Sequence, residues 1–394
     1  MRSITLSLIA IVMLFAVIPV YGKFGQIQEV EPEVINTSVT VSNPNDVAEL
    51  VVSADGETKD EATKVALRSA IEQAYGTFVS ANTTILNDEL VKDEIVTVSS
   101  GNIAGYEEIA SALLPNGRQS VTLKASVCVS KLVSYAKSKG ASTEFSGAAF
   151  AMNIKMKELN KKNEKIALEN LLKQVEQLIP YVYDKTLEVG NPKVRQDGKY
   201  DIPMKLNIVT NDNFLNLRNY IFSTIDGICL SEEECKEYSD MGLNRIHLEL
   251  VLGDIKDRKD TSGFYTNSSS TYYSLRNENP SMASIVSKLY RLFVCQCRNY
   301  RVVDNNGKVY REGTISNKDI PQNIDGKLIN GDRIYINCND GLNSGIRCFF
   351  NDPRTWFLWV WSKNFEEFTI TVSNDDIMKI SEFKVEKADV KFVE

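Results

Sequence analysis

Ala48-Glu49-Leu50-Val51-Val52-Ser53-Ala54-Asp55-Gly56-Glu57-Thr58-Lys59-Asp60-Glu61-Ala62-Thr63-Lys64-Val65-Ala66 is the stretch that decides the fold. Its first half is a short β-rich run that ends at the turn pair Asp55-Gly56. Thr58-Lys59-Asp60-Glu61 then has the spacing of a capping box, in which a threonine oxygen accepts from the backbone three residues on and a glutamate reaches back. After it the apolar period lengthens from two to about 3.6 residues. Ala62, Val65, Ala66, Ser69, Ala70 and Gln73 form a stripe that Leu67, Ile71 and Ala74 widen. So many alanines predict a helix lying tightly on a sheet, and Gly76 reads as its left-handed stop.

Working outward toward the C-terminus, Thr77 to Ile85 is β-branched and strand-like, and Asp88 to Ser99 suits a second helix with Leu90, Val91 and Ile95 inward. Ile103 to Leu113 and Ser120 to Val129 read as two strands around the turn-forming Pro115-Asn116-Gly117. The order β-α-β-α-β-β predicts a small α/β unit over residues 47–136, with helices on one face of a mainly antiparallel sheet. Gly56, Glu61, Ala62, Ala66, Leu67, Ala70, Gln73, Gly76, Val79 and Ser80, followed by Asn87, Glu89, Leu90, Asp93, Ile95, Ser99, Gly101 and Tyr106, carry a resemblance. Over residues 47–135 the chain resembles the N-terminal domain of flagellar assembly protein T and is similar to related small envelope lipoproteins. The resemblance implies a periplasmic assembly or scaffolding module with no catalytic residues.

Toward the N-terminus, Arg2 is the only charge before an apolar run from Ile4 to Val20, which ends in Val20-Tyr21-Gly22. That is the layout of a secretory signal cleaved near Gly22, giving residues 1–22 as signal peptide and 23–46 as an extended linker. Retention as an anchor is the competing reading, but the run is short of the roughly 20 residues a span requires and has Pro19 near its end. The expected protein is periplasmic or secreted, with no transmembrane segment after cleavage. The first cysteine is Cys128, so a lipid-modified N-terminus is not expected.

Lys137 to Gly147 is rich in serine, threonine and glycine and reads as a boundary, with an α+β region over 148–280. Ile166, Leu168, Leu171, Leu172, Val175, Leu178 and Ile179 predict an amphipathic helix that stops at Pro180. Ile202 to Ile208 alternates as a strand, Phe214 to Ile228 returns to helical spacing, and Ile246, Leu248 and Leu250 alternate again. Ser231-Glu232-Glu233-Glu234 is a second capping box; Leu230 and Cys235 occupy hydrophobic-staple positions, which gives Cys235 a packing role rather than a redox one. Residues 281–394 read as a helix through Ile285, Leu289, Leu292 and Phe293 and then a β-rich close, either part of the preceding unit or a third. Its expected strands include Asp332 to Asn337, Thr355 to Trp361, Phe365 to Val372 and Ile380 to Val385, with a turn at Asp304-Asn305-Asn306-Gly307.

With 45 Lys and Arg against 52 Asp and Glu, the net charge of −7 removes the electrostatic term on which nucleic-acid binding depends. His247 is the single histidine, on the polar face of its strand, so zinc sites built on two or three histidines are excluded. No nucleophile elbow, zinc-protease motif, P-loop or dinucleotide fingerprint occurs, and no cofactor, metal or catalytic residue is assigned. Cys295-Gln296-Cys297 reads as small packing residues rather than a metal site. The seven cysteines leave at least one unpaired, and a hairpin between Cys338 and Cys348 would bring those two together as a disulfide. Trp356 to Trp361 suits a strand buried on both faces or, as the sharper reading, an aromatic contact surface. Tyr272, Tyr273, Trp359 and Trp361 are the candidate contact residues, with Gly263 to Tyr273 read as a surface loop. These features favour a non-enzymatic envelope binding or assembly protein with a protein partner or self-association; the competing reading is an exported glycan-binding or glycan-processing protein using the aromatic cluster.

Overall fold

The computed structural model describes residues 27–28, 35–36, 47–78, 102–138, 149–243, 245–253, 257–259, 265–267, 271–276, 281–316, 346–352, 355–360 and 363–393. The first sheet contains β1 (Ile27–Gln28), β2 (Ile35–Asn36), β3 (Val47–Gly56), β4 (Ile103–Leu113) and β5 (Gln119–Cys128). It is antiparallel throughout, in the order β1-β4-β5-β3, with β2 beside β1 along the same edge of β4. β3 is therefore the opposite edge. The turn between β4 and β5 holds Gly117 at φ +82°, a conformation in which a glycine is unstrained.

Helix α1 (Lys59–Phe78) starts as its sequence demands, Thr58 Oγ1 accepting from the Glu61 N–H at 3.2 Å. The Glu61 carboxylate reaches one residue beyond the usual box, to the Glu57 N–H at 2.8 Å. Ala62, Ala66, Ala70 and Ala74 are buried against Leu50 and Val52 of β3 and Leu123, Ala125 and Val127 of β5. Two expectations fail here. The helix runs through Gly76 rather than stopping there, and Thr77 and Phe78 belong to its last turn rather than to a strand. Continuing the turn buries Phe78 completely and lets the Thr77 hydroxyl donate to Gln73 O at 3.0 Å. The rest of the expected second strand and the whole of the expected helix over 88–99 lie outside the described residues.

Beyond β5 the chain enters helix α2 (Val129–Ser138), where the sequence reading continued a strand through Val129 and anticipated no helix. The expected boundary lies mostly outside the described residues, and α3 (Ala149–Leu178) follows it, starting well before the stripe that begins at Ile166. A single 3₁₀ turn at Ile179–Tyr181 ends it at Pro180, as expected. The second sheet holds β6 (Tyr183–Val189), β7 (Lys193–Val194), β8 (Tyr200–Thr210) and β18 (Lys363–Val372), in the order β18-β8-β6 with β7 also on β8. After β8 come α4 (Asp212–Asp226) and α5 (Glu232–Asp240). The third sheet, β12-β9-β17-β16, comprises β9 (Arg245–Leu252), β12 (Thr271–Arg276), β16 (Ile346–Asp352) and β17 (Thr355–Val360). Its central pair, β9 and β17, is parallel.

Smaller pairings complete the fold. β10 (Asp257–Lys259) pairs with β11 (Tyr265–Asn267), so the stretch read as a loop from Gly263 to Tyr273 contains β11 and the start of β12. β13 (Tyr300–Asp304) lies between β14 (Val309–Glu312) and β19 (Phe383–Lys387), and β15 (Thr314–Ser316) pairs with β20 (Lys391–Val393). The Asp304-Asn305-Asn306-Gly307 turn forms as expected, with Gly307 at φ +79° and Asp304 Oδ1 accepting from the Asn306 and Lys308 N–H groups. Helices α6 (Ser281–Arg298) and α7 (Asn374–Ile377) close the count among the described residues. The architecture is mixed α+β with mainly antiparallel sheets. No helix among the described residues is long and apolar enough to cross a membrane.

Helix α3 sits at the centre. Its Ala167, Leu168, Leu171 and Val175 share one core with Ile202 to Ile208 of β8, Phe214 and Ile221 of α4, Leu248 and Leu250 of β9, and Phe293 of α6. Val51 and Ala112 of the first sheet, and Leu114 just after β4, belong to that same core, so the first sheet is covered by α1 on one face and by α3 and α4 on the other. Its second face is small and polar, and the contacts match: Tyr220 of α4 meets Thr122 at 3.3 Å, and Gln174 of α3 donates to Asp55 at 3.1 Å.

Three substitutions test the seating of α1. Ala66→Leu, at a site with no exposed surface, is expected to destabilise the full chain by about 1–3 kcal/mol through overpacking. Lys64→Ala removes only an exposed ion pair to Asp60 and is expected to leave the melting temperature unchanged. Gly76→Ala should stabilise by roughly 0.5–1 kcal/mol, since the helix interior favours alanine over glycine. The nearest atom to the added Cβ is Lys162 Nζ at 3.9 Å. Thermal melts rank the three; a Gly76→Ala protein that melts lower than wild type contradicts the helix through Gly76.

Candidate functional site

A groove of about 400 Å³ is bounded by β3, α3 and the connection from α4 to α5, with Glu49, Asn160, Asp226, Cys229, Glu234 and Arg276 among its lining. A hollow of about 500 Å³ over β6, β8 and β18 is larger, but its charged residues Glu188, Lys205 and Glu367 are exposed or half-buried surface groups.

The groove begins at an edge strand. A sheet edge presents backbone N–H and C=O groups in alternate residues, and burying them unpaired is costly. At Val51 the pairing comes from a side chain of α3. Asn163 Oδ1 accepts from Val51 N at 3.0 Å, and Asn163 Nδ2 donates to Val51 O at 2.9 Å and to Gln73 Oε1 at 3.0 Å. The carboxamide thus makes both bonds that a neighbouring strand would make. Glu49 points its backbone to the same side, two residues earlier along an unbroken register with β5, and makes no such bond among the described residues. Among the described residues the edge is open there, and Glu49 lines the groove.

The next residue of α3 builds the opposite wall. Glu164 is almost completely buried and accepts from Arg276 Nη1 at 2.8 Å and from the Arg276 backbone N–H at 3.2 Å. Arg276 also donates through Nη1 to Ile228 O at 3.1 Å and through Nη2 to Glu234 Oε1 at 2.7 Å. Glu234 serves two purposes. Its other oxygen accepts from the Ser231 N–H at 3.0 Å while Ser231 Oγ accepts from the Glu234 N–H at 3.2 Å, so the expected capping box is complete.

Electrostatics follow from burial. Burial lifts the Glu164 carboxyl to about 7 against the pull of Arg276, and the nearby Glu234 charge adds to the lift. Burial opposes the Arg276 charge, and Glu164 and Glu234 together outweigh it, so the guanidinium is held above its ordinary range. Tyr273 lies in the same neighbourhood: burial pushes its hydroxyl up, with Asp226 and Cys229 adding to the effect. The arrangement is a clamp. One cation joins α3, α5 and β12 through three guanidinium bonds to protein groups.

Of the expected contact residues, Tyr273 is 5% exposed and packs inward beside Leu275, so it offers no contact surface, contrary to the expectation. Its place opposite Leu248 turns it into the core. Tyr272 pairs with Glu249, and Trp359 pairs with Arg347 and Val251 on an inner strand whose Leu358 and Val360 are buried. The side chains of Tyr272 and Trp359, and the whole of Trp361, lie outside the described residues. Cys338 also lies outside them, and of Cys348 only its backbone place on β16 opposite Leu358 is described. His247 is exposed, as expected, with Nδ1 3.4 Å from Ser274 Oγ. Among the described residues no group of three His, Cys, Asp or Glu could hold a metal ion.

Asn163 and Glu164 escaped the sequence reading because they sit in Lys161-Lys162-Asn163-Glu164-Lys165, which looks like a solvated charge run. The signal was one of phase: carried back from Ala167 and Leu168 by four residues, the buried stripe falls on Asn163 and Glu164, and by four more on Leu159, which is also fully buried.

A pH prediction follows from Glu164. A carboxyl whose pKa is raised on folding binds its proton more tightly in the folded chain, so it favours the fold below its ordinary value of 4.5, and that contribution is lost as the pH rises toward about 7. Glu164→Gln keeps an acceptor for Arg276 and cannot titrate. Urea midpoints of the wild type relative to this variant are expected to fall across that window; a relative rise contradicts the burial of a raised carboxyl. Set beside known proteins, the chain matches no family model, no curated protein and no solved structure.

Proposed function

We propose that this chain is an exported cell-envelope protein, periplasmic or secreted, whose role is binding or assembly and which holds an extended segment of an envelope protein partner in the groove beside β3. The N-terminal apolar run supports export, and the resemblance over residues 47–135 supports an assembly module. The single observation that carries the binding mode is the open edge at Glu49. Its backbone donor and acceptor face the groove, beyond the point where Asn163 closes the edge at Val51. An extended peptide satisfies such groups by adding a short strand, and side-chain contacts to the groove supply selectivity.

Glu49→Pro isolates this mode. Proline removes one N–H, and at Glu49 that N–H points away from β5, so the sheet loses no ladder bond. The Glu49 carboxylate pairs with Lys124 in a partly exposed contact that contributes little. Crosslinking in intact envelopes followed by pull-down is expected to recover a partner with wild type, while Glu49→Pro melts within a few degrees of wild type and loses most of it. Recovery of wild-type monomer alone overturns the binding role; full retention by Glu49→Pro overturns the edge as its seat.

A further inference from the structure

Cys229 and Cys235 flank the connection from α4 to α5, and both thiols are free and half-buried. Six positions apart in the chain, they share one anchor, Arg276. Its guanidinium bonds Ile228 O at 3.1 Å and Glu234 Oε1 at 2.7 Å, so it grips the residue immediately before each cysteine. The segment between them is held further by the Ser231–Glu234 capping box and by Leu230 N donating to Ser274 O at 2.8 Å. Cys235 Sγ lies 3.9 Å from the carbonyl oxygen of Leu230, the residue after Cys229, while Cys229 Sγ sits 3.3 Å from Asp226 O at the groove.

We propose that Cys229 and Cys235 are a disulfide-forming pair, and that the bond closes a short ring which locks the α4–α5 connection around Arg276. The inference is independent of any binding partner. The oxidant is a small-molecule or protein disulfide. A Cys thiolate attacks one of its sulfurs and expels one thiol; the second Cys sulfur then attacks the mixed disulfide and expels the other. The two cysteine protons and two electrons pass to the oxidant, whose two sulfurs leave as thiols. Burial, followed by Asp226, pushes the Cys229 thiol up, so little thiolate is present at neutral pH and exchange is slow there. A packing role for Cys235 against Leu230 is compatible with this: the staple holds the thiol in place.

The probe is glutathione disulfide with the full chain, incubated at about pH 8.5, where thiolate is more abundant. Acid quenching, alkylation and peptide mapping then read the products. The expected product is a peptide in which Cys229 and Cys235 are joined, lighter than the dithiol form by two hydrogen atoms, in about tenfold excess over the alkylated form. Oxidation should raise the melting temperature by a few degrees. Cys229→Ser should abolish the rise and leave Cys235 as a mixed disulfide with glutathione. Three results overturn the proposal: both cysteines alkylated, both carrying separate glutathione adducts, or the linkage appearing only when urea-unfolded protein is oxidised.

Discussion

The carboxamide of Asn163 stands where a strand would stand beside Val51, and the layout of the molecule depends on that substitution of side chain for backbone. A five-stranded antiparallel sheet with an exposed edge invites pairing with other chains. Here α3 runs along that edge and closes it at Val51, and because Gln73 shares the same amide, the first helix is tied to the same point. Glu164, the next residue, turns to the other side of α3 and takes Arg276 of β12. Two neighbouring side chains thus join the N-terminal sheet to the third sheet through one helix, and the groove is the space left between the two joints.

Arg276 illustrates what buried charge does in a protein of this kind. Removing the Arg276 guanidinium and the Glu164 carboxylate from water costs several kcal/mol per ion, with Glu234 only partly withdrawn, so the net gain over apolar groups of similar volume is close to nothing. The consequence is directional. An apolar trio tolerates sliding, whereas this arrangement is satisfied only when Glu164, Ile228 O and Glu234 all converge on one cation. The same logic recurs at Glu366 of β18, which is buried and bonded by Tyr300 and Arg311, fixing β13 and β14 against the second sheet. It recurs again at Lys185 of β6, which burial lowers to about 8 and which donates to Gln296 O at 2.8 Å beside Asn299.

Local patterns in the sequence were legible where each residue's choice is made against its immediate neighbours. The alanine stripe of α1, the Ser231–Glu234 box, the turn at Gly307 and the alternation of Ile202 to Ile208 all depend on period or capping, and all formed. The failures share a cause. Gly76 resembles a stop in isolation, but the burial of Phe78 one half-turn later makes continuing the helix worthwhile. Tyr273 has a composition suited to a surface loop, yet pairing with Leu248 turns it inward. Asn163, Glu164 and Arg276 are polar by type and buried by position, and only their distant partners reveal why, since the contacts join residues more than a hundred positions apart. The groove was invisible for the same reason: none of its walls is local.

Amide hydrogen exchange along β3 tests the central claim most directly, because Val51 and Glu49 point the same way off the same edge and only the buried Val51 has Asn163 bonding it. In the free protein the Val51 amide is expected to exchange slowly, near the rate set by global unfolding, while the Glu49 amide exchanges orders of magnitude faster. Comparable rapid exchange at both positions would show that the carboxamide of Asn163 does not replace a strand.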